Sequence, residues 1–267
     1  MQRTLLLCTV VVSAHGQSSV AVYEFTAESH WTEATHPTAI AALARFSPLI
    51  GMVHSGDVGF WSPGELASPG IQLMAEVGDF TPLQQEADGY VADGTARETI
   101  VGTPLGGTST FVREVSLTGE HPLFTMVTMI APSPDWFVGT HGLSLQDDSG
   151  EWIETLEVPL DAYDSGTDSG PTFEAPNAET IPPLPVANIQ GVFPFEGSPP
   201  LATFRFRLLR VEICHADTNA DGRLTPADFI AWVVAFNTQS EACEQNGDGR
   251  CTPSDFNAWI LNFNADC

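Results

Sequence analysis
Apolar positions in the first four-fifths of the chain fall into short runs with a period near two. "VAVYEF" (20–25), "LFTMVTMIA" (123–131) and "ATFRFRLLRVEI" (202–213) are continuous or alternating, and "WIETLEVPL" (152–160) alternates Trp, Glu, Leu and Val. Clusters of Gly, Pro, Ser and Asp separate them, which is the punctuation of strands joined by turns. One stretch changes period. In "SPGELASPGIQLMAEVG", Ile71, Met74 and Ala75 fall at helical spacing and Gly78 is placed to stop a helix. Many short strands and few helices predict an antiparallel β-sandwich over residues 17–212. The Pro-rich run from Ile181 to Pro200 stays inside that domain, because a core-like strand follows it.

After residue 213 the pattern is helical and repeats every 27 positions: "DTNADGRLTPADFIAWVVAFN" and then "EQNGDGRCTPSDFNAWILNFN". Phe229, Trp232, Val233 and Phe236 form one stripe, and Phe256, Trp259, Ile260 and Phe263 form its copy. Thr225 and Thr252 are placed as N-caps, with Pro226 and Pro253 at the favoured first helical position. The prediction is a small all-α pair of loop-helix units over 213–267, each helix burying its stripe against the other.

The loops before these helices fit a calcium loop, with oxygen ligands at positions 1, 3, 5, 7, 9 and 12 and glycine at 6. The first set is Asp217, Asn219, Asp221, Arg223 by its carbonyl, Thr225 and Asp228, with Gly222 at the turn. The second is Glu244, Asn246, Asp248, Arg250 by its carbonyl, Thr252 and Asp255, with Gly249. Two such loops in register, each leading into the same helix, form a far more specific signal than one.

Charge narrows the function. Acidic residues outnumber Lys plus Arg by 34 to 9, for a net charge of −25. Phosphate contacts need cations, so nucleic-acid binding is excluded and unaided binding to anionic lipid is disfavoured. Acidity fits calcium ligation, or plain solubility in salty surroundings. At the N-terminus, Arg3, the apolar stretch Leu5–Val12 and Ala14-His15-Gly16 read as a signal peptide over residues 1–16, cut after Gly16; a first strand or a short buried helix is the structural alternative. Cys214, Cys243, Cys251 and Cys267 then remain, an even number in an exported chain. Cys214–Cys267, at the two ends of the repeat, and Cys243–Cys251, flanking the second loop, are the favoured bonds, each stabilising by about 2–4 kcal/mol.

Two resemblances add to this reading. "YEFTAESHWTEATHP", "RFSPLIGMVHS", "FWSPGELASPGIQLMAEVGD", "MIAPSPDWFVG" and "DAYDSGTDSGPTFEAPNAETIPP" together resemble the spondin N-terminal domain family through most of residues 20–211. That resemblance implies a β-sandwich in secreted matrix and adhesion proteins, with calcium held by Asp135, Asp164 and Asp168. The second motif carries Ser165 where the family has alanine, a change expected not to touch the ligands. From the residues alone, Asp164 and Asp168 either face each other across a tight loop with Asp135 as a third carboxylate, or merely cap an Asx turn while Asp135 stands in solvent. Trp136 reads as core rather than as an exposed contact. The C-terminal repeat is similar to dockerin modules, which plug secreted bacterial proteins into cohesin-bearing scaffolds. Glu244 departs from the usual first aspartate, and the best-known cohesin-contacting pairs are absent.

The leading expectation is an exported, non-catalytic, calcium-binding adhesion or scaffold protein whose tail anchors it to a cohesin-like scaffold or a cell-surface or matrix component. A calcium-dependent glycan or lipid binder, or an accessory part of a polysaccharide-degrading assembly, is the alternative. No nucleophile elbow, zinc motif or phosphate loop marks an enzyme. His30, His36, His54, His121 and His141 are scattered along the chain.

Overall fold
The computed structural model describes residues 19–41, 43–220 and 224–264. The leader with its cleavage site, together with Asp221, Gly222, Arg223 and Cys267, lies outside the described residues. Two compact units divide the chain, one spanning Ala21–Val211 and the other beginning at Glu212.

The larger unit is built on two antiparallel sheets. Its strands are β1 (Ser19–Ser29), β2 (Arg45–Phe46), β3 (Pro48–His54), β4 (Ala96–Pro104), β5 (Thr110–Thr118), β6 (Leu123–Ala131), β7 (Trp136–Ser144), β8 (Thr155–Leu160), β9 (Ala162–Asp164), β10 (Ala187–Asn188) and β11 (Ala202–Ile213). One sheet runs β5-β1-β11-β8 and the other β10-β9-β7-β6-β3-β4, with β2 paired to β6. Between the sheets lies an aromatic core in which Phe25 sits 4.9 Å from Phe124 and 5.1 Å from Phe204 by ring centroids. On its other face the larger sheet carries two helices, α1 (Pro69–Val77) and α2 (Thr81–Ala92). Ile71, Met74, Leu83 and Ala87 pack there against Ile50, Met52, Val127 and Phe137.

This third layer explains why "LFTMVTMIA" is continuous rather than alternating. Phe124, Met126 and Ile130 of β6 enter the core between the sheets, while Val127, Met129 and Ala131 enter the core under the helices. A strand covered on both faces has no use for an alternating polar row. The smaller sheet is covered on one face only, so β11 alternates. Phe204 and Phe206 point inward, whereas outward-facing Arg205 and Arg207 pair with Glu28, Glu157 and Glu24. Such exposed pairs contribute little stability.

The α1 helix forms where its spacing places it. Ser68 caps it by accepting the Ile71 N–H at 3.1 Å, and Gly78 ends it at φ 72°. The second helix, α2, was not anticipated: only Leu83 and Ala87 are buried along its length, too thin a stripe to show as a period. In "WIETLEVPL" the strand begins at Thr155, while Trp152 makes an isolated bridge to Gln146.

In the smaller unit, α3 (Pro226–Thr238) and α4 (Pro253–Asn264) follow their loops, with a short 3-10 turn at Glu241–Cys243 between them. Thr225 caps α3 by accepting the Ala227 N–H at 3.2 Å. The core obeys the sequence repeat. Trp232 Nε1 donates to the Cys243 carbonyl at 3.1 Å, and Trp259 Nε1 donates to the Ala216 carbonyl at 3.1 Å, which are equivalent positions exchanged between the copies. Ring contacts are exchanged in the same way: Trp232 lies 5.3 Å from Phe256, and Trp259 lies 5.5 Å from Phe229. The stripes are narrower than expected, because Phe229 and Ile260 are exposed while Trp232 and Trp259 are buried. The Cys243–Cys251 disulfide is present.

Candidate functional site
The corner after β6 turns on two prolines, Pro132 and Pro134, and delivers Asp135 and Trp136 inward rather than into solvent. Asp135 is 0% exposed and Trp136 3%. Trp136 packs edge-on against Phe173 and Phe195, so it is core as expected. The Ser133 hydroxyl accepts the Trp136 N–H at 3.0 Å and tightens the turn. Antiparallel pairing of β7 with β9 sets Trp136 opposite Asp164, and the loop after β9 then wraps Asp135.

That loop is made to hold one carboxylate oxygen. Asp135 Oδ2 accepts from the Thr167 N–H at 2.8 Å, the Asp168 N–H at 3.0 Å and the Ser165 hydroxyl at 2.9 Å. Ser165 is therefore not a neutral replacement for alanine, since its hydroxyl is part of the cradle. Gly166 is needed in its own right: its φ is 79°, and a Cβ there would sit 2.1 Å from the Leu184 carbonyl oxygen. Asp164 accepts from the Gly166 N–H at 2.8 Å and from the Trp136 indole at 3.2 Å. Asp168 accepts from the N–H groups of Gly170 at 2.7 Å and Ala178 at 3.2 Å. The Asx-turn reading is thus correct for Asp164 and Asp168, whereas Asp135 does not stand in solvent.

The neighbouring carboxylates bear on Asp164 and Asp135. Burial, and then the charge of Asp135, push Asp164 up to about 6. Asp135 is raised chiefly by burial, against the pull of its N–H donors. Five of the six oxygens have donors; the sixth, Asp135 Oδ1, is buried with no hydrogen-bond partner among the described residues. No group of three or more His, Cys, Asp or Glu among the described residues converges closely enough to hold a metal ion as the side chains stand. The residue types nevertheless fit a hard cation. Each carboxylate oxygen keeps lone pairs beyond those its donors use, and a buried acceptor without a donor is costly.

In the first C-terminal loop, Asp217 and Asp228 are both fully buried. Asp228 accepts from the Asn219 N–H at 3.2 Å and the Thr225 N–H at 2.8 Å. Asp255 accepts in a similar way but from a loop donor one repeat position earlier, the Gln245 N–H at 2.9 Å, together with the Thr252 N–H at 2.8 Å. Thr225 and Thr252 thus touch the position-12 aspartate of their own loop. Glu244 reaches across the second loop and accepts from the N–H groups of Asn246 and Asp248 at 3.0 and 3.2 Å. The Arg250 N–H donates to Asp248 at 2.8 Å.

The profile of the Spondin_N family matches residues 21–204. The chain belongs to the spondin N-terminal domain family. Spondin-2 of Rattus norvegicus is 31% identical over 207 residues, covering 72% of this chain and 62% of that protein. Spondin-2 of Homo sapiens is 33% identical, covering 66% and 54%. Spondin-1 of Bos taurus is 33% identical over 168 residues, covering 61% of this chain but 21% of its own length. The spondin homologues are secreted proteins of the extracellular matrix, and this protein is likewise extracellular, secreted or at a cell surface. Among the described residues no helix is long and apolar enough to cross a membrane.

Within the spondin domain, sequence reasoning found the three aspartates but missed their support. Thr167 gives both its N–H and its hydroxyl to Asp135, and the Trp136 indole holds Asp164. The only signal for either was proximity to an aspartate in the motif.

Proposed function
We propose that this is an exported, non-catalytic adhesion or scaffold protein in two modules that meet near residue 212. Its spondin domain holds calcium at Asp135, Asp164 and Asp168. Its C-terminal unit is a dockerin-like calcium module that anchors it to a cohesin-like scaffold or to a matrix or cell-surface component. One observation carries the metal reading: Asp135 Oδ1 is buried without a donor, beside two carboxylates whose other partners are all neutral. When bound, calcium supplies the positive charge that lets these groups ionise together. Ser165, Thr167 and the Asp168 backbone orient Asp135 by fixing its other oxygen.

The tail reading rests on its internal two-fold. Each position-12 aspartate ties the start of its loop to the start of its helix, and each tryptophan closes on the opposite copy. Calorimetric titration of calcium into the full chain tests both parts. Asp135→Asn is expected to remove one class of site and leave the tail's sites intact. Uptake identical to that of the unmutated chain would sink the corner reading. Capture from an envelope extract that depends on the tail but persists in chelator would sink the anchoring reading.

A further inference from the structure
A cleft of about 470 Å³ lies between the Ser55–Ser68 loop and the ends of β3 and β7, lined in part by His54, Asp57, Trp61, Ser62, Glu65 and His141. Its walls are fixed. The Gly64 N–H donates to the Val186 carbonyl and the Val186 N–H to the Glu65 carbonyl, both at 2.8 Å. Trp61 packs 4.9 Å from both Phe137 and His141 and 4.8 Å from Tyr163 by ring centroids. His54 forms part of the floor with both ring nitrogens engaged, by the Ser55 carbonyl at 2.7 Å and the Thr125 hydroxyl at 2.8 Å.

Three features select the occupant. Asp57 and Glu65 are exposed carboxylates on the rim with no ion pair among the described residues, so they are open acceptors. No arginine or lysine lines the cleft, which excludes phosphate, sulfate and acidic sugars. Trp61 is only 5% exposed, and its indole N–H has no acceptor among the described residues. A cationic ligand brings only donors and leaves that N–H unpaired. A hydroxyl both donates and accepts. The volume is within the range of small-molecule sites, roughly 300–1,000 Å³.

We propose that this cleft binds a neutral saccharide of one or two rings, with hydroxyls donating to Asp57 and Glu65 and accepting from Trp61. The site is separate from the aspartate corner and does not depend on the calcium reading.

The test uses the full chain, with saturation-transfer NMR and calorimetry. The probes are glucose, galactose, mannose, N-acetylglucosamine and cellobiose, with arginine and sulfate as charged comparators. At least one neutral sugar is expected to bind. Asp57→Asn and Glu65→Gln, both at exposed positions, are each expected to weaken it about tenfold, as for loss of a hydrogen bond to a charged group. Trp61→Phe keeps the ring, removes the N–H and is expected to weaken binding as well; if it lowers stability, the two rim variants carry the test. The proposal is overturned if no neutral sugar binds at about 20 mM. It is also overturned if arginine binds and no sugar does, or if sugar binding survives both rim variants.

Discussion

The aspartate corner of the spondin domain and the two C-terminal loops collect carboxylates in opposite ways. At the corner, Asp135 and Asp168 are 33 residues apart and meet only because β7 pairs with β9 within the larger sheet. In each tail loop the participants lie within a dozen residues, and the position-12 aspartate joins the loop to the start of its helix. The corner has a large core holding its frame. The tail's core consists of a few aromatic side chains around Trp232 and Trp259. On the proposed calcium reading, a cation at the corner would add to a frame that already stands, whereas cations in the tail would be part of what holds it together.

The first way to break this comparison is to remove calcium from the full chain. The tail is expected to change most: at calcium one hundred times Kd the ion contributes about 2.7 kcal/mol, roughly 10 °C or more for so small a unit. Hydrogen exchange resolved by peptide separates the units, and a greater loss of protection in the spondin domain would reverse the ranking. Next in size, Trp232→Phe and Trp259→Phe should each cost about 1–3 kcal/mol, because each removes a buried indole hydrogen bond and part of a core ring. Denaturant midpoints that differ by much more than about 0.5 kcal/mol between the two would mean that the repeats are not energetically equivalent.

The corner has its own signature in pH. Asp164 is raised from its ordinary value of 3.8 to about 6. With calcium chelated, the folded domain therefore holds a proton that the unfolded chain releases, so stability is greatest below pH 4 and is lost as pH rises through 6. Calcium inverts the sign, because ionised ligands lose stability as pH falls below about 4. Thermal melts at pH 4.5 and 7 should show calcium raising the melting point more at pH 7 than at pH 4.5; an equal shift at both would remove the cation from the corner. Smallest of all, Ser165→Ala removes one of several donors to Asp135 and should cost about 0.5–1.5 kcal/mol. No change in the chelated melting point would return that hydroxyl to the neutral role first assigned to it.

Some features were legible before any fold was known. The termini of β6 and β11, the Gly78 stop of α1, and the Thr-Pro starts of α3 and α4 follow from periods and caps that act within a few residues. Others were not. The α2 helix buries only two apolar side chains, so its amphipathic signal is faint, and its place on the outer face of the larger sheet fixes it. Asp57 belongs to no motif in the sequence, yet it stands on the rim of a cleft with Trp61 and His141, which comes from a strand more than seventy residues further along.

By itself the sequence determined the 27-residue repeat and the start of the helix after each repeat loop, because local spacing and short motifs encode them, while the three corner aspartates were singled out by the resemblance to the spondin family. Only the tertiary structure decided that Asp135 is buried with one oxygen cradled and the other bare, that Ser165 belongs to the cradle, and that the tryptophans cross between repeats. Burial, donor supply and electrostatic coupling arise from groups far apart in the chain, and packing two sheets and two helices is what brings those groups together.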